Sequence, residues 1–243
     1  MTDARNQPVN REHYLRDYDS IARFASYWHQ IHEVTQLGGS VLEVGVGNGT
    51  VNAVLRRRGL AVQTVDIDPT LEPDLVADVR DLSLPDAAFD TAIVGEVLEH
   101  LPWSDVDSAL AEVARVVRRG AVISVPHAGA WFSLLGQVPG AIHIVRLALR
   151  RRIAARHALW SLTLPATWRR HGGRVAVTAF LPGLRRDVSP SCGEHCWELG
   201  LGGLEPTDLR AAISRAGLEV VRDYRPAENP YHHFFVATRA KPR

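Results

Sequence analysis

The run Val41-Leu42-Glu43-Val44-Gly45-Val46-Gly47-Asn48-Gly49 constrains this 243-residue chain more than any other. Its apolar part, Val41 to Val46 with Glu43 inside it, has the length and β-branched content of a buried strand. It breaks into glycines at alternate positions, and a helical pattern follows from about Val51 to Arg58. Glycine lets the chain turn with positive φ and lets backbone N–H groups approach a ligand closely. A strand, glycine turn and helix in this order make a nucleotide-type binding turn at the carboxyl edge of an open α/β sheet. The spacing argues against a dinucleotide fingerprint, which needs a glycine three residues after the second one. Thr50 holds that position here, and the third glycine is Gly49.

Strand and helix patterns alternate after this turn. Gly59 closes the first helix, and Ala61 to Val65 reads as a second strand ending in Asp66-Ile67-Asp68-Pro69. Leu75 to Ala77 is a short third strand ending at Asp78-Val79, and Phe89 to Val94 is a fourth. An amphipathic helix is expected over 105–118, stopped by Gly120, with a fifth strand over 121–126. Pro206 to Ala216 reads as a helix stopped by Gly217, followed by strands over 218–224 and 232–238. Before the first strand, residues 11–37 carry aromatic and aliphatic side chains at helical spacing and end at Gly38-Gly39. Most of those aromatics are expected to pack on the sheet, with Tyr14 or Tyr18 as alternatives for a lid.

The pattern Glu43-x-Gly45-x-Gly47-x-Gly49, with Asp66, Asp78-Val79 and Glu96-Val97-Leu98-Glu99-His100 following in order, resembles the class I S-adenosylmethionine-dependent methyltransferases. Two further segments, His195-x-Trp197-Glu198-x-Gly200 and Glu228-Asn229-Pro230-Tyr231-His232-His233, resemble uncharacterised bacterial and archaeal members of that superfamily. The resemblance implies a Rossmann-like seven-stranded α/β sheet with helices on both faces and the last strand antiparallel. It also implies S-adenosylmethionine as cofactor, and Glu43, Gly45, Gly47, Gly49, Asp66, Ile67, Asp78, Val79 and Glu96 as the residues around it. Within that set Asp66 would hold the ribose, because a carboxylate accepts hydrogen bonds from both vicinal hydroxyls. Ile67, Asp78 and Val79 would border the adenine, and Glu43 would orient the turn and the amino end of the cofactor.

The expected organisation is an N-terminal helical lid over 1–40, a core over 41–126, an inserted cap over 127–203 and a closing helix and hairpin over 204–243. The insertion has an unusual charge pattern. No acidic residue occurs between Glu112 and Asp187, whereas Arg146, Arg150, Arg151, Arg152, Arg156, Arg169, Arg170, Arg174, Arg185 and Arg186 lie in that interval. A solvated arginine face, a cap for an anionic or lipid-linked acceptor, and a basic amphipathic element over 131–160 on a membrane surface all fit that composition. A net charge of +1 speaks against a dedicated nucleic-acid binder. Two cysteines, Cys192 and Cys196, make no disulfide framework. With no apolar leader pattern at the amino terminus, the expected location is cytoplasmic.

Methyl transfer from a sulfonium is a displacement in which the protein chiefly positions the reactants, and a hydroxyl or amine acceptor also needs a base. His100, His127 and His195 are the candidates for that base. Glu96-x-x-Glu99-His100 also resembles the magnesium site of some O-methyltransferases, which opens a metal-dependent alternative acting on a ribose or catechol-like hydroxyl. The ligand set is incomplete for magnesium, so the sequence assigns no residue to a metal. A non-catalytic cofactor-binding module is the third reading.

Overall fold

The computed structural model describes residues 18–137, 174–181 and 195–239. Tyr14, Cys192 and most of the basic segment expected over 131–160 lie outside the described residues. No helix among the described residues is long and apolar enough to cross a membrane.

The core contains helix α1 (Ile21–Leu37), strand β1 (Val41–Val44), helix α2 (Thr50–Arg57) and strands β2 (Val62–Asp66), β3 (Leu75–Val76) and β4 (Phe89–Gly95). Helix α3 (Val106–Val116) and strand β5 (Val117–Pro126) come next. A separate compact unit, residues 129–186, holds strands β6 (Ala130–Gln137) and β7 (Arg174–Leu181). The chain then returns to the core for helix α4 (Pro206–Arg215) and strands β8 (Leu218–Tyr224) and β9 (His232–Arg239).

The core sheet runs β3-β2-β1-β4-β5-β9-β8. Its first five strands are parallel, while β9 is antiparallel to both β5 and β8. Strand order reverses between β1 and β4, so the crevice beyond their carboxyl ends is where an open α/β sheet receives a ligand. Alternation along each strand sends side chains to two helix layers. Leu42 and Val44 face the layer that includes α3 and α4, packing in one core with Leu110 and Ile213. Val41 faces the other, packing with Val34 of α1 and Leu55 of α2. By the same alternation Glu43 is driven to the α1–α2 side, a buried carboxylate in an otherwise apolar strand.

Local chemistry sets the element ends. Ser20 caps α1 by accepting the Arg23 N–H at 3.1 Å, and Gly38 at φ 73° ends it. Glu205 and Asp208 form a reciprocal capping box on α4. Gly120 departs from expectation: α3 ends at Val116, and Gly120 lies inside β5. A Cβ there would stand 2.1 Å from the carbonyl oxygen of Ala237 on β9, so the residue serves close strand approach rather than helix termination. Strands β6 and β7 form an antiparallel hairpin for which the sequence carries no local strand signal. It pairs Ala130 with Leu181 through to Gln137 with Arg174, and the Ser133 and Thr178 hydroxyls meet at 2.9 Å.

Candidate functional site

Three loops meet at the carboxyl edge of the core sheet. The first is the glycine turn after β1, where Gly45, Gly47 and Gly49 have φ of 84°, 54° and 75°. These are left-handed conformations that cost other residues free energy. A Cβ on Gly45 would stand 2.5 Å from Cγ2 of Val97, so this turn packs directly against the loop after β4. Asn48 donates to both carboxylate oxygens of Asp19, at 2.9 and 3.0 Å, which ties the segment entering α1 to the turn. Tyr18, in that same segment, accepts a hydrogen bond from Arg23, and burial pushes its phenol up to about 12.

The second loop follows β2. Asp66 Oδ2 accepts the Val46 N–H at 2.8 Å and Oδ1 accepts the Asp68 N–H at 2.9 Å. The carboxylate thereby links the two loops, and each oxygen keeps acceptor capacity for a further donor. Ile67 beside it is 60 % exposed, an apolar side chain open to a flat ligand. Asp78 follows β3, and Arg80 engages both its oxygens, Oδ1 at 2.9 Å and Oδ2 at 2.5 Å. The Arg80 hydrogen bonds hold its carboxyl below the usual range. The Val79 side chain is buried in the core, which leaves only its backbone for a ligand.

Glu43 lies behind the glycine turn, buried, with Oε2 meeting no hydrogen-bond donor; the Asn52 amide lies alongside. Burial pushes the carboxyl up to about 8, against the opposing pull of that amide. Between about 4.5 and about 8 the folded protein keeps a proton that the unfolded chain has released. Stability is therefore full below this window and falls as pH rises through it, by about 1.4 kcal/mol per unit. Glu43→Gln removes that slope. Melts of the cofactor-free protein should show the variant gaining on the wild type between pH 5 and pH 8, on the order of 3 kcal/mol. An equal offset at both pH values would contradict the assignment.

The third loop follows β4 and carries the reactive side chains. Glu96 has φ 56°, a left-handed conformation for a non-glycine residue, of the kind that clusters at functional sites. Its Oε1 lies 3.4 Å from Nδ1 of the buried His232 on β9. Glu99 is fully buried with neither carboxylate oxygen hydrogen-bonded. Burial, reinforced by the charge of Glu96, pushes Glu99 well above the usual carboxylate range. The segment 195–198 is clamped over this loop. The Cys196 N–H donates to the Glu99 carbonyl at 2.7 Å, and the Trp197 indole donates to the Leu101 carbonyl at 3.0 Å. His195 thus comes to lie against His100, ring centroids 5.2 Å apart. One ligand atom from each of Glu99, His100 and His195 falls within 4.8 Å of the others. His195 Nδ1 lies 3.0 Å from Glu198 Oε1, which also accepts the Tyr231 hydroxyl at 2.6 Å. Burial opposes the charge on Glu198, but these two hydrogen bonds outweigh it and keep the group ionised at neutral pH.

Of the three candidate histidines, the structure brings His100 and His195 together and places His127 elsewhere. His127 Nδ1 lies 2.9 Å from Nδ1 of His233. On β9, His233 points to the opposite sheet face from His232. Burial pushes His127 down to about 3 and His233 to about 4, so both are neutral near pH 7. The sequence reading assigned no role to Glu198, Tyr231 or His232, although all three fall in the quoted segments. Asp19 lies outside every quoted pattern, and Asn48 fills only a variable position of the glycine motif.

Residues 42–125 match the family model described as a methyltransferase domain. Among curated proteins, the malonyl-[acyl-carrier protein] O-methyltransferase of Serratia marcescens is 34 % identical over 97 residues, which are 35 % of this chain and 37 % of that protein. This chain therefore spans little more than a third of that relative's length. The ubiquinone biosynthesis O-methyltransferase of Xylella fastidiosa (strain M23) is 26 % identical over 200 residues, 68 % of this chain and 80 % of that one. Among solved structures, the PH0226 protein of Pyrococcus horikoshii OT3 aligns with a TM-score of 0.54 at 14 % identity, over 96 % of this chain and all of that one. The magnesium protoporphyrin IX methyltransferase of Synechocystis PCC 6803 aligns at 0.53 and 14 % identity, over 97 % and 90 % of the two chains. These structural likenesses show the fold. The family match is confined to residues 42–125, the segment that holds β1 to β5 and the three loops of the candidate site.

Proposed function

We propose that this chain transfers a methyl group from S-adenosylmethionine to a hydroxyl of a small-molecule acceptor. The observation that carries the reading is the gathering of Glu99, His100 and His195 directly beyond β4, beside a glycine turn and the Asp66 carboxylate. The residues present fit the cofactor. The turn admits backbone N–H groups to its methionine end, Asp66 offers acceptors to the ribose, Ile67 presents an apolar face to the adenine, and the orphaned Glu43 Oε2 awaits a donor.

S-adenosylmethionine supplies a methyl group on a sulfonium, which departs as a neutral thioether when the acceptor oxygen bonds to the methyl carbon. Positioning is the protein's first contribution. Its second is a base for the hydroxyl proton. The imidazoles of His195 and His100 are placed for that role.

The side-chain cluster also supports a metal-dependent variant. Both Glu99 oxygens are buried without partners, and two imidazoles face them. Glu99, His100 and His195 would hold a divalent ion, with Glu96 alongside, and the ion would acidify a bound hydroxyl. A set of two imidazoles and a carboxylate suits manganese, iron, cobalt or zinc better than magnesium, which favours oxygen ligands and water. The acid-free, arginine-rich interval supports an anionic or lipid-linked acceptor.

The test is release of S-adenosylhomocysteine with catechol, a hydroxybenzoate and a malonyl thioester as surrogate acceptors. Turnover with any of them supports catalysis; binding of cofactor with no turnover on any acceptor tried favours the non-catalytic module. Loss of turnover with chelator, restored by manganese or zinc, selects the metal-dependent form.

A further inference from the structure

We propose that Glu198 and Tyr231 are positioning residues that fix the tautomer and orientation of His195 beside Glu99 and His100, leaving the Nε2 lone pair for use. The inference rests on the proposed use of His195 as base or ligand. The geometry has three parts. Glu198 Oε1 lies 3.0 Å from His195 Nδ1, and an ionised carboxylate can only accept there, so in the neutral ring Nδ1 carries the proton and Nε2 the lone pair. Tyr231 donates to the same oxygen at 2.6 Å, which pins the carboxylate that pins the ring. The backbone beneath is held independently, by Cys196 to Glu99 and by the Trp197 indole to Leu101. Such outer partners of a working histidine typically change affinity or activity by about 10–100-fold when removed.

A merely structural role for Glu198 would join two loops without selecting a tautomer, so the tautomer is the deciding readout. Nitrogen-15 NMR of the full chain, labelled at histidine, should show His195 protonated at Nδ1 in the wild type. Glu198→Ala should give mixed tautomers and reduce turnover of catechol by about 10–100-fold, with affinity for S-adenosylhomocysteine unchanged. Glu198→Gln, whose amide oxygen still accepts, should restore the Nδ1–H tautomer and most of the turnover. Tyr231→Phe should move both readouts in the same direction as Glu198→Ala, by about 3–10-fold in turnover, and it decides the matter should Glu198→Ala fail to bind S-adenosylhomocysteine. An unchanged His195 tautomer in Glu198→Ala or Tyr231→Phe, or a glutamine variant as impaired as alanine, overturns the proposal. Full turnover in His195→Ala would instead overturn the reading on which the proposal rests, which keeps the two failures distinct.

Discussion

Asp66→Ala should weaken binding of S-adenosylhomocysteine by at least about 100-fold, or about 2.7 kcal/mol. The carboxylate sits at the end of β2 and already organises its surroundings, with Oδ2 on the Val46 N–H and Oδ1 on the Asp68 N–H. A ribose at this edge would take the remaining lone pairs. Hydrogen bonds to a charged acceptor are worth about 1.5–3 kcal/mol each, net of exchange with water, so losing two reaches the stated threshold. Alanine also frees the Val46 N–H in the turn that would hold the other end of the cofactor. Asp66→Asn, which keeps one acceptor oxygen, should fall between alanine and wild type. Affinity within about threefold of wild type in the alanine variant would show that another residue holds the sugar.

The second large effect concerns chemistry without binding. His195→Ala should slow methyl transfer to a hydroxyl acceptor by about 10²–10⁴-fold, the usual contribution of a positioned base, while leaving affinity for S-adenosylhomocysteine within about threefold. The separation is expected because the contacts of His195 lie with His100 and Glu198, whereas the glycine turn and Asp66 lie on the neighbouring loops. His127→Ala should have a much smaller effect on turnover, since His127 pairs with His233 and not with this cluster. Should His127→Ala abolish turnover while His195→Ala spares it, the base has been assigned to the wrong imidazole.

The core was legible because its signals are local. A glycine turn after an apolar run, Asp66 about twenty residues later, and strand–helix alternation can each be read within a short window, and seven strands with the last antiparallel are what the resemblance implies. What escaped depends on distant partners. Gly120 looks like a helix stop until the Ala237 carbonyl of β9 is placed against it. β6 pairs with a strand more than thirty-five residues further on, so nothing local marks Trp131 to Leu135 as half of a hairpin. In the candidate site, Glu99 and His100 were visible as a pair, yet a glutamate before a histidine is equally a helix start. Only the return of residues 195–198 over that loop shows that Glu99 is buried without a partner and that His195 stands beside it. Glu198 and Tyr231 belong to segments far apart in sequence and acquire a shared purpose only through one oxygen atom.

The most direct test is calorimetry on the full-length, cofactor-stripped protein titrated with S-adenosylhomocysteine. Saturable one-site binding in the wild type, lost in Asp66→Ala, is the expected result; no heat of binding with either S-adenosylhomocysteine or S-adenosylmethionine would contradict the account at its root.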